Sequence, residues 1–267
     1  MDALSLQHDL DSLTDWTREW LLRLNACKCK IMYFGGSNES RMHYSMDDLV
    51  FGRRVELESS DCERNLGVMI SSNLKWKNHI SIIVSKANKV LGMLLKTFTS
   101  RDASLWRLLY VSLVRPHLEF ASTVWNPYIK GDIEALERVQ KRATKIPTTM
   151  RALDYEERLR VWDLTTLKDR RVRGDIIQIY KIRNGLEDIE WYTGPQYAPH
   201  SCTRDESQNR YRLVKEYFPA RSRNDYCHFV SVRDGFFLNR AVDGWNGLSS
   251  SEIEAPSLNS FKARIDK

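Results

Sequence analysis

The 267-residue chain has no run approaching the 18 or more consecutive apolar residues of a membrane-spanning helix; the stretch from Ile80 to Val84 is broken by Ser81 and flanked by charge. Its five cysteines, Cys27, Cys29, Cys62, Cys202 and Cys227, are few and odd in number, which favours reduced thiols over a disulfide framework. The opening MDALSLQHDLDSL carries acids where a secretory leader needs a basic start and an apolar run. No membrane partner is expected, and the location expected is intracellular, nuclear or cytoplasmic. There is no GxxxxGKS loop, GxGxxG turn, GxSxG elbow or HExxH helix, so NTP-binding, dinucleotide-binding, esterase and metalloprotease readings lack support. Internal repeats and low-complexity tracts are also missing.

What is present describes a folded chain. Hydrophobic residues make up 42% and charged residues 28%, which excludes a disordered tail and permits a buried core in one large or two modest domains. Lys plus Arg at 41 against Asp plus Glu at 35 leaves a net charge of +6, a mild lean toward polyanions that names no partner by itself.

Hydrophobic spacing divides the chain into a mixed beginning and a helical remainder. Leu6, Leu10, Leu13, Trp16, Trp20 and Leu24 recur at three- and four-residue steps, predicting an amphipathic helix with a wide apolar face and nothing before it to pack against. Short strands are expected at Cys27 to Phe34, Met42 to Tyr44, Val50 to Leu57 and Leu66 to Ile70, forming a small antiparallel meander. Helices follow at 76–98, 106–114, 118–125 after Pro116, 132–146, 155–162 and 164–184, the last stopped by Gly185. Residues 186–232 read as an irregular connector with a short strand near Tyr211 to Val214. Helices at 236–245 and 257–265 close the chain.

The residues that would carry chemistry are mostly basic. Tyr44, Ser45, Met46, Asp47 and Asp48 superficially resemble a polymerase YxDD box, but two residues separate the tyrosine from the first aspartate. The pair reads instead as hairpin-turn residues. Asp9 and Asp11 fall on different faces of the first helix and, with Asp15, suit a solvated surface. Cys27 and Cys29 would face one side of a strand, with His200 and Cys202 or Cys227 and His228 as conceivable zinc partners, yet no CxxC or HxxxH spacing occurs and no metal site is expected. Arg138, Lys141, Arg142 and Lys145, by contrast, form a continuous cationic stripe opposite Leu136, Val139 and Ala143. Lys168, Arg170, Arg171 and Arg173 crowd the start of the next long helix, where they oppose its dipole. Phosphate contact would explain both groups; so would solvated faces with ion pairs to Glu134, Glu137 and Asp169.

Taken in order, LQHDLDSLTDWTREWLLRLNACKCKIM, NLGVMISSNLKWKNHI, LLYVSLVRPHLEFASTVWNP, LERVQKRATK, YEERLRVWDLTTLKDRRVRGDII, and FFLNRAVDGWNGL with APSLNSFKARID resemble the C-terminal part of the reverse transcriptase of non-LTR (LINE-type, jockey/CR1-like) retrotransposons. The resemblance runs over nearly the whole chain, and no single block is a catalytic signature. It implies that the metal-binding aspartates of the polymerase palm lie upstream of the first helix, so that this chain carries no catalytic residue and needs no cofactor of its own, Mg2+ belonging to the full-length enzyme. It implies further that Lys28 lies near the incoming nucleotide, and that Leu66, Gly67 and Val68 belong to a primer-grip hairpin.

The resulting expectation is an α+β, mainly α chain. It comprises a palm-remnant sheet with a primer-grip-like hairpin in 1–75, a helical thumb-like domain in 76–185, the connector in 186–232 and a C-terminal helical segment in 233–267. Its expected role is that of a reverse transcriptase (RNA-directed DNA polymerase) fragment, inactive alone, holding an RNA or DNA primer-template, with an upstream palm and fingers segment as a possible partner. The alternative is a non-catalytic nucleic-acid-binding or protein-interaction remnant.

Overall fold

Helix α1 (Ala3–Glu19) follows the spacing of its apolar residues, but the face it packs is not the one with the most leucine and tryptophan. Gln7, Leu10, Thr14 and Thr17 lie one or two turns apart along one side; both threonines are buried, and Leu10 packs with Ala26, Tyr44, Met46 and Leu57 in the core of the N-terminal unit. The Gln7 amide completes that contact by donating to the Ser45 carbonyl (2.9 Å) and accepting from the Ser45 N–H (3.0 Å). Leu4, Leu13, Trp16 and Trp20 are exposed, the two indoles 6.2 Å apart.

The computed structural model describes residues 3–22, 24–34, 42–191, 194–198, 209–216, 233 and 235–266. The chain divides into two units, Met1–Asn78 and His79–Lys267. It is mainly helical with small β pairs, an α+β arrangement.

In the first unit the expected single meander is replaced by three separate two-stranded pairs. β1 (Lys30–Ile31) pairs in parallel with β4 (Glu58–Ser59), β2 (Ser45–Asp48) antiparallel with β3 (Arg53–Glu56), and β5 (Cys62–Asn65) antiparallel with β6 (Val68–Ser71). These segments are only two to four residues long; short turns join the two antiparallel pairs, whereas β1 and β4 meet across 28 residues of chain. Asp48 ends β2, and its carboxylate accepts from the Val50 (2.8 Å) and Phe51 (3.2 Å) amides, turning the chain into β3.

The second unit is helical. Its elements are α2 (Lys77–Thr97, entering from the first unit), α3 (Ala103–Leu109), α4 (Arg115–Glu119), α5 (Ser122–Trp125), α6 (Lys130–Thr144), α7 (Tyr155–Trp162), α8 (Leu167–Arg183), α9 (Phe237–Asn246), α10 (Ser250–Ile253) and α11 (Leu258–Ile265). Between α3 and α4, Tyr110–Val114 is a π-helical turn in which the Arg115 amide reaches back to the Tyr110 carbonyl. Pro116 has no N–H for the preceding turn, and the wider turn accommodates that missing bond. Local signals set other ends. Asp154 and Glu157 form a reciprocal capping box on α7, and α8 closes with Gly185 at φ 65°, Leu186 N–H to Lys181 O (2.9 Å) and Gly185 N–H to Ile182 O (3.1 Å).

Trp106, Trp125, Trp162, Tyr110, Leu118 and Leu136 are fully buried around α3 to α7. The C-terminal helices, expected as a segment of their own, share a core with α8: Ile176, Ile179 and Tyr180 pack with Leu238, Trp245, Ile253 and Phe261. Phe261 stacks on Tyr180 at 4.2 Å, and the Tyr180 hydroxyl donates to the Ala255 carbonyl (2.6 Å). Within the connector, the expected strand near Tyr211 to Val214 is a single bridge from Leu213 to Tyr197, anchored to α9 by Asn246. Among the described residues no helix is long and apolar enough to cross a membrane.

Candidate nucleic-acid interface

Helix α6 turns one charged side outward. Leu136, Val139 and Ala143 are buried, and the three- and four-residue steps of an α-helix place Arg138, Lys141, Arg142 and Lys145 on the opposite, exposed side. Among the described residues none of the four forms an ion pair. The acids that might have neutralised them are engaged elsewhere: Glu134 pairs with Lys130, Glu137 accepts from the Tyr155 hydroxyl and the Leu167 amide (3.1 Å), and Asp169 accepts from Thr166 (2.6 Å). Four unpaired cations within two turns make a band of positive potential complementary to a phosphate backbone.

Two neutral neighbours order this band. The Asn88 side chain of α2 accepts from Arg142 Nη1 (3.2 Å), and the Lys141 ammonium lies 5.1 Å from the centre of the Tyr155 ring. Burial, followed by the bond to Glu137, raises the Tyr155 phenol above its ordinary value, so it remains a neutral donor. Neither Asn88 nor Tyr155 stands out in the sequence, because their role depends on contacts 54 and 14 positions away along the chain.

The second basic group is divided among separate partners. Arg170 pairs with Glu119, and Arg173 donates two hydrogen bonds to Asp266 (2.5 and 2.7 Å), which hold the guanidinium charged and Asp266 below its ordinary carboxylate range. Arg171 is 2% exposed, with its Nε donating to Asn126 Oδ1 (2.9 Å). Desolvation lowers the Arg171 pKa, with Glu137, Asp175 and Glu119 acting in the opposite direction. Lys168 alone of the four is exposed and, among the described residues, outside any ion pair. These arginines therefore tie α8 to α4, α5 and α11, which accounts for their position against the helix dipole.

The first unit places its expected residues separately. Lys28 is exposed at the end of the Ala26–Lys28 turn. Leu66 and Gly67 are the two-residue connection of the β5–β6 hairpin, both left-handed (φ 46° and 94°), and Val68 is buried at the start of β6. Leu66 is 91% exposed. A left-handed leucine carries backbone strain that asparagine or glycine would relieve, and its side chain projects from the hairpin tip.

No cation site forms at the acidic pair. Asp48 is buried with its oxygens taken by the turn amides and by the Cys27 thiol (3.4 Å), while Asp47 faces Arg18 (3.4 Å) and Arg54 (3.7 Å). Cys27, Cys29 and Cys62 are free thiols, and His200, Cys202, Cys227 and His228 lie outside the described residues. Among the described residues there is no group of three or more His, Cys, Asp or Glu side chains suited to a metal ion.

No protein-family model, curated protein or solved structure matches the chain.

Proposed function

We propose that this chain is a nucleic-acid-holding module of reverse-transcriptase type, in which α6 lies against the sugar-phosphate backbone of a primer-template duplex. The exposed, acid-free stripe Arg138, Lys141, Arg142 and Lys145 carries this reading. The ordered sequence blocks that resemble non-LTR reverse transcriptases support this substrate class and a thumb-like role for the helical unit. Backbone contact of this kind is independent of base sequence and strongly dependent on salt. Phosphoryl transfer is not assigned to this chain, because the acids of the Tyr44 to Asp48 string are committed to the turn and to neighbouring arginines.

The test is equilibrium binding of the full chain to a fluorescent RNA/DNA primer-template across a salt series. Each phosphate contact contributes about 0.9 to the slope of log K against log salt. Reversing the four cations to glutamate is expected to abolish binding, and replacing them with glutamine to flatten the slope by roughly 3 to 4. An unchanged slope would reject the assignment. Metal-dependent primer extension by the purified chain would reject the non-catalytic part of it.

A further inference from the structure

A second feature of the helical unit lies away from the α6 stripe. A cavity of about 310 Å³ opens between α5, the start of α6, α8 and α9, at the small end of the range for organic ligands. Its charged lining is Lys168, Arg171, Arg240 and Asp175, three cations and one carboxylate with a net charge of +2. Pro127, Tyr128 and Ile133 give it a largely apolar wall.

Arg171 sets this cavity apart from an ordinary surface cleft. Its Nε is satisfied by Asn126, yet Nη1 and Nη2 are both shut off from solvent without an acceptor. Asp175, the one carboxylate of the lining, is already committed to Arg240 Nε (2.8 Å) and Nη2 (2.9 Å) and to Asn126 Nδ2 (3.0 Å), and Glu137, whose charge acts on Arg171 from outside the lining, accepts from Tyr155 and Leu167. A buried guanidinium with two idle donor groups is costly, and the group that would relieve it is an oxyanion with paired acceptors. Lys168, exposed one turn before Arg171, sits at the mouth as a second, movable cation.

We infer that this cavity binds a phosphate monoester carrying a flat ring, the phosphate held by Lys168 at the rim and by the Arg171 guanidinium, which turns outward to reach it, and the ring lying along Pro127 and Tyr128. Charge favours phosphate over carboxylate: a monoester carries about −1.5 to −2 at neutral pH, which matches the +2 lining, whereas a carboxylate carries −1. A nucleoside monophosphate and the 5′-phosphorylated end of a strand share this chemistry. The inference is independent of duplex binding by α6.

The experiment is titration of the full chain with 5′-AMP, adenosine and inorganic phosphate, and with a short single strand with and without a 5′-phosphate, followed by calorimetry and thermal shift. Saturable binding of AMP, with adenosine at least tenfold weaker, is expected for the free nucleotide. Preference for the 5′-phosphorylated strand without AMP binding identifies the strand end as the source and equally supports the site. Arg171→Gln tests the donor directly but removes a buried group, so Lys168→Gln and Tyr128→Ala at the rim accompany it; each is expected to weaken binding about tenfold with an unchanged melting temperature of the free protein. The α6 glutamine variant should retain AMP binding, which separates this site from the duplex-binding surface. Absence of any phosphate-dependent binding, or binding indifferent to both rim variants, would overturn the inference and leave the cavity to water.

Discussion

Asp175 on α8 receives both the Nε (2.8 Å) and an Nη (2.9 Å) of Arg240 on α9, a bidentate pair that joins residues 65 apart and is almost wholly withdrawn from solvent. One further donor, Asn126 Nδ2, reaches the same carboxylate, and Arg240 also donates to the Thr123 carbonyl. The pair thus fixes α5, α8 and α9 to one another. Removing one partner of a buried pair leaves the other uncompensated, and the loss exceeds the net value of the pair. Asp175→Ala is therefore expected to lower unfolding stability by about 3 to 5 kcal/mol in urea titrations. A change under about 1 kcal/mol would show that water reaches Arg240 freely.

The two basic groups, alike in sequence, should separate in solution. Arg142→Ala is expected to weaken duplex binding and reduce its salt dependence by about one phosphate contact. Arg173→Ala should leave binding unchanged and cost roughly 0 to 1 kcal/mol of stability, because its partner Asp266 lies at a half-exposed surface. Equal effects of both substitutions on binding would contradict the geometry of α8.

At the β5–β6 hairpin, Leu66→Asn replaces a strained left-handed leucine with the residue that two-residue turns before glycine favour. Stabilisation of the hairpin by about 1 kcal/mol is expected, read as slower hydrogen exchange of the β5 and β6 amides. If the exposed leucine contacts a primer strand, the same variant binds duplex less tightly while being more stable; a gain in both would remove Leu66 from the interface.

Acid should loosen the β2–β3 turn late. Burial alone would raise the Asp48 pKa, but hydrogen bonds from the Val50 and Phe51 amides and the Cys27 thiol, with the Arg53 charge, outweigh it and hold the carboxyl below its ordinary 3.8. A carboxylate depressed in the folded state contributes stability at pH above its unfolded value and loses it as pH falls through the folded value. The Val50 and Phe51 amide resonances are thus expected to titrate with a midpoint below 3.8. In Asp48→Asn that titration should vanish; a midpoint above 3.8 would mean that desolvation dominates.

Much of the helical layout was legible because its causes are local. The Asp154–Glu157 capping box, Gly185 at the end of α8 and the three- and four-residue steps of α6 act within one or two turns, so spacing alone located α7, the stop of α8 and the cationic side of α6. The β pairs were less legible. Strands such as Lys30–Ile31 and Glu58–Ser59 are too short to carry a pattern, and their parallel pairing arises from contacts 28 residues apart. In α1 the most apolar side was the wrong guide, since Gln7 satisfies the Ser45 backbone in a way leucine cannot.

By itself the sequence determined that the chain is a helix-rich folded protein, where most helices stop, and that α6 bears a cationic stripe. These follow from propensity, caps and periodicity, which act over a few residues. Only the tertiary structure decided which cations face solvent. Arg142 on α6 and Arg171 on α8 carry the same charge, and that charge does not say which of them stays in solvent. Arg171 is enclosed because Asn126, 45 positions away, comes to meet it, while the acids that might neutralise Arg142 are drawn to other partners. Charge is a property of the residue, whereas its availability to a ligand is a property of the contacts made by distant segments on folding.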